Sequence, residues 1–283
     1  MEQLAELVLN GVSSGAVYAA LALSLMIIYQ ATRVVNFAQP GLALIAAYTA
    51  FSVTRATGSY WLGFVLALVV GGALGVLAER LLIRPVQRRS ELSAIIVTLG
   101  LLMLLQGVAG MVWSNEPHSF PYPLDFRGRF SATDAFAVAA VGVTALGLLL
   151  LFRYTPLGLR MRAAAFRPEV ARMVGVRVGL MLTVGWGIAS VIGALAGMLA
   201  VPPFIFPNVL DGVFVYGITA AVIGGLDNPF GAVLGGFTLG IGLSLVSGYL
   251  GPELVTLAAL VIVVVVLSLR PDGLFTRPRA RQV

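Results

Sequence analysis

The 283-residue chain has no cysteine and a single histidine, His118. Disulfide frameworks, thiolate metal sites and cysteine nucleophiles are therefore excluded together, and a lone imidazole leaves little scope for metal or triad chemistry. Lysine is absent as well, because all eighteen basic residues are arginine. A phosphate-cradling P-loop needs its lysine on the nucleotide and Schiff-base chemistry needs a lysine amine, so neither occurs in this chain. Charge as a whole is scarce, at 11% of residues against 59% hydrophobic, where an ordinary soluble domain carries roughly a quarter charged. A water-soluble globular enzyme is ruled out, and no catalytic or metal-ligating set is expected; Glu116 with His118 is the best cluster available, and it is a poor one.

The charge that is present is clustered. Charge-free runs cover residues 7–32, 34–54, 56–78, 92–115, 135–152, 178–210 and 228–252, with shorter ones at 212–226 and 254–269. About 20 apolar residues at 1.5 Å each span a 30 Å hydrocarbon core. Only helices or closed barrels satisfy their backbone in lipid, and runs this long are not the alternating ten-residue strands of a barrel. The expected fold is an all-α polytopic integral membrane protein, a bundle of about eight transmembrane helices (range about seven to nine) in one domain spanning residues 1–283. No basic residue precedes the first apolar run, so the first helix is expected to be retained rather than cleaved as a signal.

Orientation follows from arginine. Residues 79–91 hold Arg80, Arg84, Arg88 and Arg89; residues 153–177 hold Arg153, Arg160, Arg162, Arg167, Arg172 and Arg177; the tail holds Arg270, Arg277, Arg279 and Arg281. These segments read as cytoplasmic, while residues 115–134, with Glu116, Asp125, Asp134 and three prolines, read as an external loop. Counting spans back from there puts the N-terminus outside and the C-terminus in the cytoplasm. Downstream, four apolar segments join two cytoplasmic ones, and residues 212–226 are short; either all four cross or part forms a re-entrant hairpin. Arginines distributed in this insertion pattern imply contact with anionic membrane lipid rather than nucleic acid.

Two places break the helical pattern alike. Asn36-Phe37-Ala38-Gln39-Pro40-Gly41 and Asp227-Asn228-Pro229-Phe230-Gly231 each run from a polar residue through proline and glycine into a new helix start. Interrupted helices at corresponding positions mark substrate routes in transporters built from related halves; surface turns use the same residues, and both readings stand. The first six apolar runs hold no ionisable residue, and Asp211 and Asp227 are the only acids downstream before Glu253. The carboxylate relay of a proton-coupled pump is thus missing. Tyr18, Ser24, Thr98, Gln106, Ser190, Tyr216 and Thr219 are uncharged polar residues able to line a pathway or to bond a neighbouring helix. Gly193 and Gly197, four apart, supply a face for close helix packing.

The arginine-rich segment at 155–177 carries a further element. Proline suits a first helical turn, Glu169 complements the helix dipole, and Gly175 can close the helix in a left-handed conformation, which predicts a short helix over Pro168 to Val174. Val170, Met173 and Val174 share one face, on a helix too short to be stable alone. A membrane surface or a partner protein must receive that face.

In order and spacing the chain resembles the membrane permease subunits of bacterial ABC importers for branched-chain amino acids, over nearly its whole length. The resemblance is carried by Leu9-Asn10-Gly11 with Gly15 to Leu21, Asn36-Phe37-Ala38 followed by Ala46-Ala47-Tyr48, and Glu79 through Pro85. It continues in Ile95 through Gly100, Pro156-Leu157-Gly158 leading to Arg162-Ala163, Val222 through Leu226 with Gly231 to Gly236, and Arg270 through Phe275. It implies a passive pathway subunit in the bacterial inner membrane: a second permease subunit, related or identical, stands beside it, two ATP-binding subunits beneath, and an extracytoplasmic substrate-binding protein delivers solute. This chain would bind no cofactor, since ATP is hydrolysed by the partners. By the same resemblance Arg162, Pro168, Glu169, Val170, Met173 and Gly175 form the coupling element, while Asn36, Gln39, Asp227 and Asn228 are the candidates for the substrate path. The chain has Gln39-Pro40 where the family usually has His-Gly, and Phe166-Arg167 where an acidic or amide residue usually caps the coupling helix. Related permeases handle urea, short amides or other amino acids, and a stand-alone secondary transporter is the competing class; residue chemistry alone does not separate these.

Overall fold

The computed structural model describes residues 2–86, 91–120, 131–201, 203–226, 228–270 and 273–275. Among them run α1 (Glu2–Thr32), α2 (Gln39–Thr57), α3 (Tyr60–Ala78), a π-helical turn (Glu79–Ile83), α4 (Arg84–Val86) and α5 (Glu91–Trp113). Then come β1 (His118–Ser119), α6 (Ala132–Tyr154), α7 (Pro156–Phe166), α8 (Pro168–Met173), α9 (Val178–Ala200) and β2 (Phe204–Ile205). The chain closes with α10 (Asp211–Gly224), α11 (Pro229–Tyr249), a 3-10 turn (Pro252–Leu254) and α12 (Val255–Leu269). Seven helical segments of the described residues are long and apolar enough to cross a membrane: α1, Tyr60–Val86, Leu92–Trp113, α6, α9, α11 and Pro252–Leu269. The fold is that of an all-α polytopic membrane protein. α2 is more polar and largely buried, and α10, with 14 residues, measures only about 21 Å at 1.5 Å per residue.

Two short strands fix which helix ends share a side. β1 pairs antiparallel with β2, His118 opposite Ile205 and Ser119 opposite Phe204, so α5 and α9 end on one side of the bundle, called here the ribbon side. Trp113, the last residue of α5, donates from Nε1 to Ser52 Oγ at 2.8 Å, which sets the height of α2 against it. Gln39 starts α2 about 20 Å below that level at 1.5 Å per residue, well inside the length of α5. The break between α1 and α2 is therefore an elbow within the bundle rather than a loop at its surface. The turn between α10 and α11 is different, because Leu274 donates its N–H to Ile223 O at 2.8 Å just beyond the end of α12. That turn lies at the end of the bundle opposite the ribbon.

α1 is the axis of the fold, buried almost continuously from Gly15 to Ile28. Membrane helices gain nothing by expelling water from one another, so they associate where small residues let backbones approach. The N-terminal half of α1 and the middle of α11 do this: a Cβ on Gly11 would stand 2.5 Å from Ile241 Cα, and one on Gly240 would stand 2.4 Å from Gly15 Cα. On the other side of the bundle, Gly193 and Gly197 of α9 admit Gln39 and Ala43 of α2, as their four-residue spacing implied. The outer faces of α3, α5, α6 and α12 expose large apolar side chains such as Val69, Met103, Val143 and Val264, the composition a lipid-facing surface requires.

Gly240→Ala should force α1 and α11 apart and cost about 1 to 3 kcal/mol as overpacking, lowering the thermal midpoint in detergent. Gly242→Ala is the control, since nothing lies within 4 Å of an added Cβ there. Equal midpoints for the two variants would remove this contact from the account of stability.

Candidate functional site

The α1–α2 elbow is a closed polar knot. Asn36 Oδ1 accepts from Ala38 N at 3.0 Å, turning the chain back, and Asn36 Nδ2 donates to Gln39 Oε1 at 3.0 Å. Gln39 Nε2 then donates to Ala189 O of α9 at 3.2 Å. Both side chains are buried, at 1% and 0% exposure, so in this conformation neither faces open space. Pro40, in the first turn of α2, needs no N–H partner there. Gln39 fits only because position 193 is glycine: a Cβ there would collide with Nε2.

Asn228 heads α11 by the same local device, its Oδ1 accepting from Phe230 N at 3.1 Å, while Nδ2 donates to Phe275 O at 3.1 Å. None of these partners is shared with Asn36 or Gln39, so the structure joins two of the four path candidates and leaves Asn228 at another place; Asp227 lies outside the described residues. Depth distinguishes the two breaks. The irregular stretch inside the second half of the bundle is instead the one before α10, where Asp211 accepts from Gln106 Nε2 at 2.7 Å and from Asn208 Nδ2 at 3.1 Å. Gln106 sits about 10 Å short of the α5 terminus, which places this carboxylate below the ribbon-side surface.

A third polar group was not foreseen from sequence. Glu79, fully buried, receives Arg84 Nε on Oε1 at 3.0 Å and Arg84 Nη2 on Oε2 at 3.1 Å. Nη2 also reaches Gly179 O at 2.8 Å and Thr183 Oγ1 at 2.7 Å, and that hydroxyl donates to Glu79 Oε2 at 2.8 Å. The five-residue π turn between the partners brings Arg84 around to the carboxylate, and the cluster pins the end of α3 to the start of α9. Glu79 and Arg84 stand in one of the stretches that carry the family resemblance, yet their convergence on Thr183 is a tertiary fact.

The arginine-rich segment after α6 is more ordered than a loop. Thr155 Oγ1 accepts from Gly158 N at 3.0 Å and donates to Leu151 O at 2.6 Å, and with Pro156 behind it starts α7; this threonine-proline signal was legible but unread. α8 follows over Pro168–Met173, close to the expected helix. Its Ala171 is buried in a cluster with Met161, Ala164, Val178 and Met181, which holds α8 against α7 and α9. Val176 N bonds back to Ala171 O at 2.9 Å, and Gly175 closes the helix at φ +83°. Outward lie Val170, Met173 and Val174, 49%, 86% and 74% exposed, with Phe166 at 73%. Pro168 and Glu169 are exposed beside them. Arg162 stands nearby on the rim of a cavity of about 370 Å³, whose lining includes Ile27, Arg33, Phe152 and Met181.

Of the uncharged polar residues, Ser24, Thr98 and Thr219 turn back to carbonyls of their own helices at 2.7 to 2.9 Å. Ser190 Oγ is buried without a partner among the described residues. Tyr18 and Tyr216 meet each other, ring centroids 5.3 Å apart.

A family model described as the permease component of the branched-chain amino acid transport system matches residues 7–269. The chain is 29% identical to the high-affinity branched-chain amino acid transport system permease protein LivH of Escherichia coli K12, covering 97% of this chain and 96% of that one. It is 25% identical to BraD of Pseudomonas aeruginosa, a permease protein of the same description, with the same two coverages. Among solved structures, PsaBC from Streptococcus pneumoniae in complex with Fab aligns with a TM-score of 0.51 at 15% identity, over 93% of this chain and 91% of that one; this likeness concerns the fold alone.

Arg84→Ala should leave Glu79 as an uncompensated buried carboxylate. The penalty is expected near 2 kcal/mol, below the roughly 3 to 5 kcal/mol of a fully buried pair, because the Arg84 side chain is 43% exposed. Thermal unfolding of purified protein measures it, and the double variant Arg84→Ala with Glu79→Gln should recover most of the loss. Additive losses in the double variant would contradict the pairing.

Proposed function

The chain belongs to the family of branched-chain amino acid transport system permease components, and on that footing we propose that it is the membrane-spanning subunit of an ATP-driven importer for those amino acids. ATP is bound and hydrolysed by two separate subunits, consistent with a chain that has no lysine for a P-loop. A second permease, related or identical, completes the passage, and an extracytoplasmic binding protein delivers solute. The ribbon side faces outward, and the arginine-rich α7–α8 end faces the cytoplasm. The N-terminus then lies outside and the C-terminus inside, in a bacterial inner membrane.

The observation that carries this reading is the outward face of α8. A six-residue helix cannot hold Val170, Met173 and Val174 in water for its own stability, and Ala171 anchors it so that the apolar face points away from the bundle. A groove on an ATP-binding subunit is the fitting receiver. Coupling is mechanical: closure of the ATPase pair moves α8, α7 carries the motion to α1, α6 and α9, and the bundle switches access. Pro168 and Glu169 start the docking helix, Gly175 ends it, and Arg162 stands on α7 at the rim of the cavity that α7 shares with α1, α6 and α9. Asn36 and Gln39 belong to the substrate route as its inner elbow, since any sliding of α2 along α9 must exchange the bond to Ala189; Asn228, at the turn between α10 and α11, stands at the end of the bundle opposite the ribbon, where the route would open to the cytoplasm.

Proteoliposomes containing this chain, its partner permease, the ATPase subunits and the binding protein should take up labelled leucine only when ATP is supplied, with urea as the comparison solute. Uptake by this chain alone would establish a secondary transporter or channel instead, and urea uptake in preference to leucine would move the substrate class. Within the complete system, Gly175→Val places a β-branched residue in the left-handed region at a cost of about 1 to 2 kcal/mol, equivalent to roughly a tenfold loss of the docked geometry. Leucine uptake should fall by a similar factor while the bundle remains inserted. Unchanged uptake would remove α8 from coupling.

A further inference from the structure

Open polar surface lies away from the elbow, whose side chains are consumed by one another, along the N-terminal half of α1. There a groove of about 320 Å³ runs between α1, α11 and the start of α12. Asn10, Ser14 and Tyr18 line it from α1, and Ser244 and Ser247 from α11. From Leu7 at its mouth to Tyr18 at its base the groove descends about 16 Å along α1. At its base Tyr18 meets the ring of Tyr216, and the Tyr216 hydroxyl shares a 3.1 Å hydrogen bond with Thr256 Oγ1. Among the described residues no Asp, Glu, Arg or His lines it.

Three features separate this groove from ordinary helix packing. Asn10 and Ser14 are exposed, whereas the outward faces of α3, α5, α6 and α12 expose almost only apolar side chains. Ser244 Oγ donates to Leu7 O at 2.6 Å and Ser14 bonds the Tyr18 hydroxyl, yet an amide at Asn10 and a further hydroxyl at Ser247 still line the groove, and such groups facing hydrocarbon carry a cost lipid does not repay. The groove also exists because of the close α1–α11 contact: Gly240 lies at its wall and touches Gly15 and Gly11, so the two helices meet on one edge and diverge on the other. We propose that this groove is the outward entrance of the solute route, taking small solutes that carry no net charge, and that the Tyr18–Tyr216 pair is its closed floor. Hydroxyl and amide groups replace part of the solute's hydration, and the absence of a charged wall admits a zwitterion or a neutral amide alike. This proposal rests on the importer reading above.

The chain has no cysteine, so single thiols can be introduced without background from it. Complete complexes carrying Ser14→Cys or Ser247→Cys, with thiol-free partners and ATP enclosed in the proteoliposomes, are treated from outside with a charged, membrane-impermeant methanethiosulfonate. Val264→Cys, on the lipid-facing side of α12 at 63% exposure, is the control. Modification of either groove thiol should cut leucine uptake to under about a tenth by blocking a narrow lined passage, and leucine with its binding protein should slow the reaction. Val264→Cys should transport unchanged after treatment. Thiols at 14 and 247 that resist the reagent in actively transporting complexes, or uptake that survives their modification, would overturn the entrance assignment alone. Absence of ATP-dependent leucine uptake before any treatment would instead overturn the importer reading and the entrance with it.

Discussion

The contact on which the rest of the structure depends is the backbone-to-backbone meeting of α1 with α11. Hydrocarbon offers no hydrophobic reward for joining two apolar helices, so the free energy must come from close packing, which glycine alone permits at Gly11, Gly15, Gly236 and Gly240. Once α1 is fixed against α11 it becomes an axis around which α6, α9 and α10 are arranged. The same contact makes the helices diverge on their other edge, and the polar groove lies in that divergence.

Three polar groups of the bundle stand at or beside a break in a helix, and each of these is tied to an element distant in sequence. Gln39 reaches Ala189, Gln106 reaches Asp211, and Arg84 with Glu79 reaches Thr183. Unpaired, such groups would be costly in low dielectric; paired, they hold breaks in helices that would otherwise have no defined partner. A protein that changes access must exchange contacts of this kind, because packed apolar faces have few alternative arrangements whereas a hydrogen bond can pass from one carbonyl to the next along a helix. On the proposed function, the Gln39 bond to α9 is the one such an exchange would break, and the Glu79–Arg84–Thr183 cluster would keep the far end of α3 and the near end of α9 together while it happens.

In the proposed importer, energy enters the bundle from outside. The α7–α8 unit has the required form: one buried side, through Ala171 and Met161, and one apolar side that the chain itself does not cover. Because α7 packs on α1, α6 and α9, displacement of α8 is transmitted to the axis of the fold rather than to a peripheral helix.

Much of this was legible in the amino-acid sequence. The charge-free runs determined the membrane helices, the arginine clusters the grouping of their ends, and Pro168 with Gly175 the short helix, because hydropathy, charge and capping act locally and leave local marks. The spacing of Gly193 and Gly197 likewise foretold a close contact, though not that α2 would fill it. What the sequence could not decide was depth and partnership. Asn36 and Asn228 each accept a bond from the N–H two residues onward, just ahead of α2 and at the head of α11, yet one is buried inside the bundle and the other closes a turn beyond the end of α12. Residues 212–226 were ambiguous for the same reason. Whether a polar residue is buried, bridged or open depends on which distant helix stands opposite it, and that is fixed only when close packing has set every helix against its neighbours.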